Sequence, residues 1–142
     1  MKVKELMSTN IASVSPNTSI ADIARSMKRN NVGSVPVCKG GKVVGIVTDR
    51  DIVLRQIAMD KNLENSKAED VMTSGISSAH PDMDIHDAAK LMSDMQIRRL
   101  PVIDNGNLVG MLALGDIAVH SRLEDNAGAV LGDVSEPTHT IY

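Results

Sequence analysis

The sequence predicts a mixed α+β fold, an α/β sandwich of two tandem β-α-β-β-α repeats related by a pseudo-twofold axis. Three observations predict it: the second half matches the first at a constant offset of 65 positions, each half carries one amphipathic helical stripe, and each half carries a glycine-containing hairpin turn. One repeat alone is too small to bury its sheet well. Two copies are therefore expected to pack together and to leave clefts between the halves.

The duplication holds without a gap from Met7 and Met72 onward. It places residues 1–62 in a first repeat and 63–124 in a second, with a polar linker at 60–67, and it leaves 125–142 as a C-terminal tail. The matched pairs are Pro16/Pro81, Ile20/Ile85, Asp22/Asp87, Ala24/Ala89, Met27/Met92, Pro36/Pro101, Gly45/Gly110 and Asp51/Asp116.

Each repeat begins with a short apolar segment, residues 11–14 or 76–79, which predicts a first strand. The helical stripes follow at i, i+3, i+4 and i+7 spacing. They consist of Ile20, Ile23, Ala24 and Met27 in the first copy, and of Ile85, Ala88, Ala89 and Met92 in the second. Ser19 and Asp84 are the predicted N-caps.

Two apolar strands follow each helix and flank a turn. Gly40-Gly41 is the predicted turn of the first hairpin, and Asn105-Gly106, a strong type I′ signal, is that of the second. A second helix is expected to begin near Asp49 and near Gly115. In the tail, residues 125–134 are compatible with a short helix, and residues 136–142 are expected to be frayed.

Composition argues against several classes of protein. The net charge of −3, the single Tyr and the lack of Phe and Trp disfavour nucleic-acid binding, which uses basic surfaces and aromatic stacking. The single cysteine, Cys38, excludes an internal disulfide and fits a reducing compartment. Without an apolar run of about 20 residues or a signal-peptide core, a cytoplasmic location and no membrane association are expected.

The segment Gly45-Ile46-Val47-Thr48-Asp49-Arg50-Asp51 places a strand end directly before a helix start. One interpretation is a capping box, in which Thr48 and Asp51 bond to each other's backbone N–H. The other is a ligand site, because a carboxylate at a helix start can accept two hydrogen bonds from the ribose 2′ and 3′ hydroxyls. The two interpretations are compatible.

The second copy of this segment keeps Asp116 but has Ala113 in place of Thr48, so unequal clefts are expected. Arg98 and Arg99 stand where the first copy has Gly33 and Ser34. Adjacent arginines can bind a phosphate, or they can be a solvated pair that bridges to surface Asp residues. Both interpretations stay open.

Other motifs indicate no chemistry. The segment Lys39-Gly40-Gly41-Lys42 lacks the spacing of a phosphate-binding loop. The four histidines show no metal-ligand spacing with Cys38 or with each other. No nucleophile motif or triad is present, so neither catalysis nor a metal is expected.

These residues resemble the CBS domain, and the tandem pair resembles the Bateman module. The marks are Met7 and Met72, Pro16 and Pro81, the two strands around Pro36 and Pro101, and the segment 45–51, which matches the family's Gly-x-x-Thr-x-x-Asp signature. The resemblance covers residues 1 to about 122. The whole chain also resembles small stand-alone bacterial proteins made of two such repeats.

The resemblance implies clefts that bind AMP, ADP, ATP, S-adenosylmethionine or an NAD-type ligand, with no required cofactor. It also implies a homodimer. In this family the signature Asp holds the ribose, the Thr lies near ribose or phosphate, and residues before the Leu-Pro-Val strand contact phosphate. The implied ligand-binding residues are Thr48, Asp51, Asp116, Arg98, Arg99, Asn10, Ile11, Ser34, Val35, Pro36, Gly75 and Ile76.

Two functions follow from these expectations. The first is a non-catalytic regulatory module, of the energy-sensing kind, that binds an adenosine-containing ligand and signals to an unidentified protein partner. The second is a structural or protein-interaction module with vestigial nucleotide sites. Nucleotide binding separates the two, because only the first requires it.

Overall fold

The computed structural model describes residues 1–120, and the predicted tail, residues 125–142, lies outside the described residues. Helices and antiparallel strands together confirm the mixed α+β class. The elements in chain order are α1 (Val3–Leu6), α2 (Ile20–Asn30), β1 (Ser34–Lys39), β2 (Lys42–Thr48), α3 (Asp49–Ile52), a π-helical turn (Val53–Ile57), α4 (Ala68–Val71), α5 (Ile85–Met95), β3 (Arg99–Asp104), β4 (Asn107–Ala113) and α6 (Leu114–Ala118).

Among the described residues, the chain forms two compact units. Residues Ala12–Ile76 form the first-repeat unit, and Met1–Ile11 with residues 77–120 form the second-repeat unit. Each unit therefore contains the helix and hairpin of one sequence repeat and the leading segment of the other. The boundaries at 62 and 63 describe the duplication in sequence and stay a prediction.

The hairpin of the first-repeat unit pairs β1 with β2 in antiparallel register from Ser34 opposite Thr48 to Lys39 opposite Lys42, with a bulge after Val37. The predicted turn is confirmed. Gly40 and Gly41 have φ values of 60° and 80°. A type I′ turn needs positive φ at both central residues, and glycine adopts that conformation without a steric cost.

The second-repeat unit repeats this hairpin. Strand β3 pairs with β4 from Arg99 opposite Ala113 to Asp104 opposite Asn107, with a bulge after Val102. Asn105 and Gly106 have φ values of 51° and 81°, so the type I′ turn predicted for this hairpin is confirmed.

Helix α2 begins at the predicted cap. The Ser19 hydroxyl accepts the Asp22 N–H at 3.1 Å, and after Asn30 the helix is capped by Asn31, which is left-handed with φ of 52°. The predicted stripe packs into the core of this unit. That core contains Ile20, Ile23, Met27, Val35, Val37, Val47, Ile52, Ala68 and Val71, all buried.

The predicted first strand of each repeat is reduced to a single bridged residue. Val14 pairs in parallel with Val37, and Ala79 pairs in parallel with Val102. Pairing ends after Val14 because a turn starts at once, with the Ser15 N–H donating to Thr18 Oγ1 at 3.0 Å.

The leading segments contain the short helices α1 and α4, which sequence patterning did not predict because four residues carry no periodic signal. After α4, Thr73 and Ile46 exchange two backbone hydrogen bonds of 2.9 Å each. Ser8 and Met111 make the same exchange after α1, at 2.8 and 2.9 Å. Within the described residues, no helix is long and apolar enough to cross a membrane.

Candidate ligand site

Thr48 and Asp51 form the N-terminal cap of α3. The Asp51 N–H donates to Thr48 Oγ1 at 3.1 Å, and the Thr48 N–H donates to Asp51 Oδ2 at 2.9 Å. The capping-box interpretation is therefore confirmed. Thr48 is the last residue of β2 with extended backbone, φ −109° and ψ 161°, which turns the strand into the helix.

The Asp51 carboxylate is almost completely buried, with 1% of its side chain exposed. One oxygen, Oδ2, is used by the cap. The other, Oδ1, lies 3.8 Å from Arg55 Nε, which is a charge contact and too long for a hydrogen bond. Burying a carboxylate is costly unless it is paired, and the cap and Arg55 together provide that pairing.

Ser34 lies beside this cap, because β1 and β2 pair it with Thr48. Its Oγ is buried and has no hydrogen-bond partner among the described residues. A buried hydroxyl without a partner loses about 1–3 kcal/mol relative to a satisfied one. Val35 and Pro36 follow Ser34 in β1, and both are buried in the interior of this unit.

Gly75 and Ile76 end the first-repeat unit. They follow the bridge between Thr73 and Ile46, Gly75 has φ of 67°, and Ile76 is half-buried. The buried Thr73 Oγ1 also has no hydrogen-bond partner among the described residues. Of the predicted residues in this unit, Ser34, Thr48 and Asp51 meet at the β2–α3 junction through the pairing of Ser34 with Thr48 and the cap between Thr48 and Asp51.

The second-repeat unit holds the corresponding junction. The Ala113 N–H donates to Asp116 Oδ2 at 2.8 Å, and Asp116 is half-buried. Ala113 has no hydroxyl that could accept a hydrogen bond from the Asp116 N–H. The two junctions therefore differ, as the sequence indicates. The Asp116 carboxylate is more exposed than the Asp51 carboxylate.

Arg98 directly precedes β3, and Arg99 is its first residue. Arg98 is exposed, its carbonyl accepts the Leu114 N–H at 2.8 Å, and Arg99 pairs with Ala113 across the hairpin. Across the described part of the chain, neither guanidinium forms an ion pair with a carboxylate. Both arginines therefore border the Ala113–Asp116 junction with their charge available.

Asn10 and Ile11 end the leading segment of the second-repeat unit. Asn10 is exposed and Ile11 is half-buried, and both follow the bridge between Ser8 and Met111. The structure gives neither residue a hydrogen-bonded contact with the Asp116 junction.

A groove of about 470 Å³ lies between α2 and α3 of the first-repeat unit. None of the predicted ligand residues lines it. Its lining consists of Ala24, Met27, Lys28, Asn31, Val32, Gly33, Asp49, Ile52 and Val53.

Cys38 is the one thiol of the chain and lies in β1. Burial raises the pKa of this thiol, and a hydrogen bond with Ser13 partly opposes the shift. A raised pKa lowers the thiolate fraction at neutral pH, which suits a packing role better than a nucleophilic one.

Arg55 is a neighbour of the cap that the sequence prediction omits. Besides its contact with Asp51, its guanidinium donates to the carbonyl of Val71 at 2.8 Å. The i, i+4 spacing of Asp51 and Arg55 is a sequence signal that could have found the pair. The link to Val71 carries no such signal, because sixteen positions separate the two residues.

The structure has two repeats, and each contains a hairpin and a capped strand–helix junction. Comparison with known proteins identifies the class of protein that this architecture defines. The CBS domain pattern matches residues 3–57 and 68–122. The chain belongs to the CBS domain family and carries two copies of the domain.

One relative is the CBS domain-containing protein YhcV of Bacillus subtilis, strain 168, which is 44% identical over 133 residues, or 94% of each chain. Among solved structures, the CBS domain pair of protein MJ0100, in complex with 5-methylthioadenosine and S-adenosyl-L-methionine, is 31% identical with a TM-score of 0.76, covering 88% of this chain and 96% of that one. Protein PAE2072 of Pyrobaculum aerophilum, complexed with AMP, is 25% identical with a TM-score of 0.80, covering 90% and 98%.

Proposed function

We propose that this protein is a non-catalytic regulatory module that binds an adenosine-containing ligand and passes the bound state to a protein partner. The observation that carries the proposal is the junction of Ser34, Thr48 and Asp51. There, Ser34 carries a buried hydroxyl without a hydrogen-bond partner among the described residues, and it is paired across the hairpin with Thr48, whose N–H donates to the Asp51 carboxylate.

The chemistry of this junction suits a ribose. Each oxygen of an ionised carboxylate can accept two hydrogen bonds. The cap uses one position on Oδ2, and the Arg55 contact at Oδ1 is too long to use one by hydrogen bonding. A vicinal diol can then donate to Asp51, while a ligand hydroxyl or ring nitrogen satisfies Ser34 Oγ.

The Asp116 junction suits a phosphorylated ligand. Asp116 is half-buried and offers the same carboxylate without a Thr hydroxyl beside it. Arg98 and Arg99 bring two positive charges to the strand that faces this junction, and a guanidinium binds phosphate through paired N–H groups. We propose that this unit prefers AMP, ADP or ATP over adenosine.

Two of the similar proteins support an adenosine-containing ligand. MJ0100 was solved with 5-methylthioadenosine and S-adenosyl-L-methionine, and PAE2072 was solved with AMP. The adenosine group is common to these ligands, which is the part that a ribose-binding carboxylate would recognise.

Isothermal titration with AMP, ADP, ATP, S-adenosylmethionine, NADH and adenosine tests the proposal. Asp51→Ala should lower affinity for adenosine at least about tenfold, because a lost hydrogen bond to a charged group costs about 1.5–3 kcal/mol. Asp87→Ala, an exposed acid in the first turn of α5, is the matched control and should bind as the unchanged protein does.

Arg98→Ala extends the test to phosphate. It should weaken AMP more than adenosine, and equal losses for the two compounds would refute the phosphate role. Binding of none of the six compounds would overturn the proposed function as a whole.

One observation favours the second candidate, an interaction module with vestigial sites. With 1% of its side chain exposed and a complete cap, Asp51 already has a structural reason to be present. Failure of all six compounds to bind, together with an intact fold by circular dichroism, would support this candidate.

A further inference from the structure

Arg55 connects two parts of the first-repeat unit that are far apart in sequence. Its Nε lies 3.8 Å from Asp51 Oδ1, and its Nη1 donates to the Val71 carbonyl at 2.8 Å. The residue lies in the π-helical turn that continues α3. The side chain therefore contacts both the proposed ribose-binding carboxylate and the end of α4.

The Val71 carbonyl belongs to the last residue of α4. The carbonyls in the last turn of a helix receive no N–H from within that helix. A cationic donor placed there therefore stabilises the helix end. The next residues pack against β2. Met72 lies against Gly45, and Thr73 exchanges two backbone hydrogen bonds with Ile46. The chain leaves this unit only three residues later, after Ile76.

We propose that Arg55 is a positioning residue that couples ligand occupancy of Asp51 to the segment Ala68–Thr73. This inference rests on the proposed function. In the free protein, the Asp51 charge holds the guanidinium against Val71. A ribose diol that donates to Asp51 Oδ1 offsets part of the negative charge that attracts the guanidinium. The attraction between Asp51 and Arg55 then weakens, and with it the contact between Arg55 and the Val71 carbonyl.

The direction of the effect follows from reciprocity. If ligand binding weakens the Arg55 contact, then the Arg55 contact weakens ligand binding by the same factor. Removal of the guanidinium should therefore tighten adenosine binding. A residue that merely supports the fold would instead weaken binding when it is removed.

A double-mutant cycle in the ligand-free protein tests the contact by hydrogen exchange of the amides in 68–73. Arg55→Met removes both contacts of the guanidinium and should speed exchange at least about fivefold, the lower end of typical coupling factors. Asp51→Asn removes the charge but keeps an oxygen that can accept the Thr48 N–H, and it should have a similar effect.

In the doubly substituted protein, Asp51→Asn should add nothing to Arg55→Met. Additive effects, or no effect of Asp51→Asn alone, would overturn the coupling. Arg29→Met removes the same charge from the exposed side of α2 and is the matched control. Slow exchange of the Thr48 and Asp51 amides verifies that the α3 cap persists in every variant.

Titration with adenosine tests the response to ligand, and the compound has no phosphate that Arg55 could bind. Saturating adenosine should speed exchange in 68–73 of the unchanged protein but not of Arg55→Met, which should bind adenosine about fivefold more tightly. Binding without a change in exchange, or weaker binding by Arg55→Met, would overturn the inference. Lack of binding by the unchanged protein would instead refute the proposed function, whereas the ligand-free cycle decides the Asp51–Arg55–Val71 contact by itself.

Discussion

Thr48 and Ala113 occupy the same place in the two repeats and have nearly the same backbone. Their φ and ψ angles are −109° and 161° for Thr48, and −108° and 152° for Ala113. Each N–H donates to the Asp three residues later, at 2.9 and 2.8 Å. The difference is one hydroxyl, so the chain contains its own comparison of a full cap with a half cap.

Removing this hydroxyl from the first repeat and adding one to the second should change the free energy of unfolding in opposite directions. Thr48→Ala leaves the Asp51 N–H without its acceptor and should lower the free energy of unfolding by about 1 kcal/mol. Ala113→Thr supplies an acceptor for the Asp116 N–H and should raise it by a smaller amount, because ordering the new side chain costs entropy. Urea unfolding measures both, with the exposed Thr9→Ala as control. Stability changes of the same sign would contradict this account.

The contact between each leading segment and a strand depends on a glycine. An ideal Cβ on Gly45 would lie 2.6 Å from Met72 Sδ, and one on Gly110 would lie 2.5 Å from Met7 Sδ. Backbone oxygens of Thr73 and Ser8 would lie 3.0 and 3.1 Å from these positions. The sulfur can move, but the backbone oxygen is held by the bridge, so a side chain at either position would have to displace that backbone.

Gly45→Ala should therefore destabilise the first-repeat unit by about 1–3 kcal/mol, the range for overpacking a filled site. Gly115→Ala is the matched control, because an ideal Cβ there meets no atom within 4 Å. In helix α6 that change should stabilise by about 0.5–1 kcal/mol. Urea unfolding of both variants decides the matter, and an unchanged midpoint for Gly45→Ala would refute the close packing.

The sequence predicted those elements whose signal is local. The stripe from Ile20 to Met27 and the Asn105-Gly106 turn each carry a periodicity or a φ requirement within a few residues. The leading segments carry none, because the reason for Gly45 is Met72, twenty-seven positions away. At the candidate site, Thr48 and Asp51 follow from a motif, whereas the Val71 carbonyl that Arg55 contacts is a backbone group and leaves no trace in residue identity.

At the scale of the whole chain, one segment of the first-repeat unit exposes several large apolar side chains. Val53, Leu54, Ile57 and Met59 are between 43% and 62% exposed, and they follow one another along the π-helical turn and the residues after it. Val53 also lines the groove between α2 and α3. Exposed apolar side chains that cluster in this way are typical of surfaces that another protein covers. The homodimer that the family resemblance implies would bury this surface if its twofold axis passed here, because such an axis brings the same residues of both copies together.

Light scattering coupled to size-exclusion chromatography should therefore give twice the mass of the chain. Leu54→Glu and Ile57→Glu place charges in the buried centre of such an interface, where an unpaired carboxylate is strongly unfavourable, and each should shift the protein to monomer. Asn17→Glu adds the same charge to an exposed loop of this unit and should leave the mass unchanged. A monomeric unchanged protein, or a dimer that survives both apolar substitutions, would show that this surface is not the contact between copies.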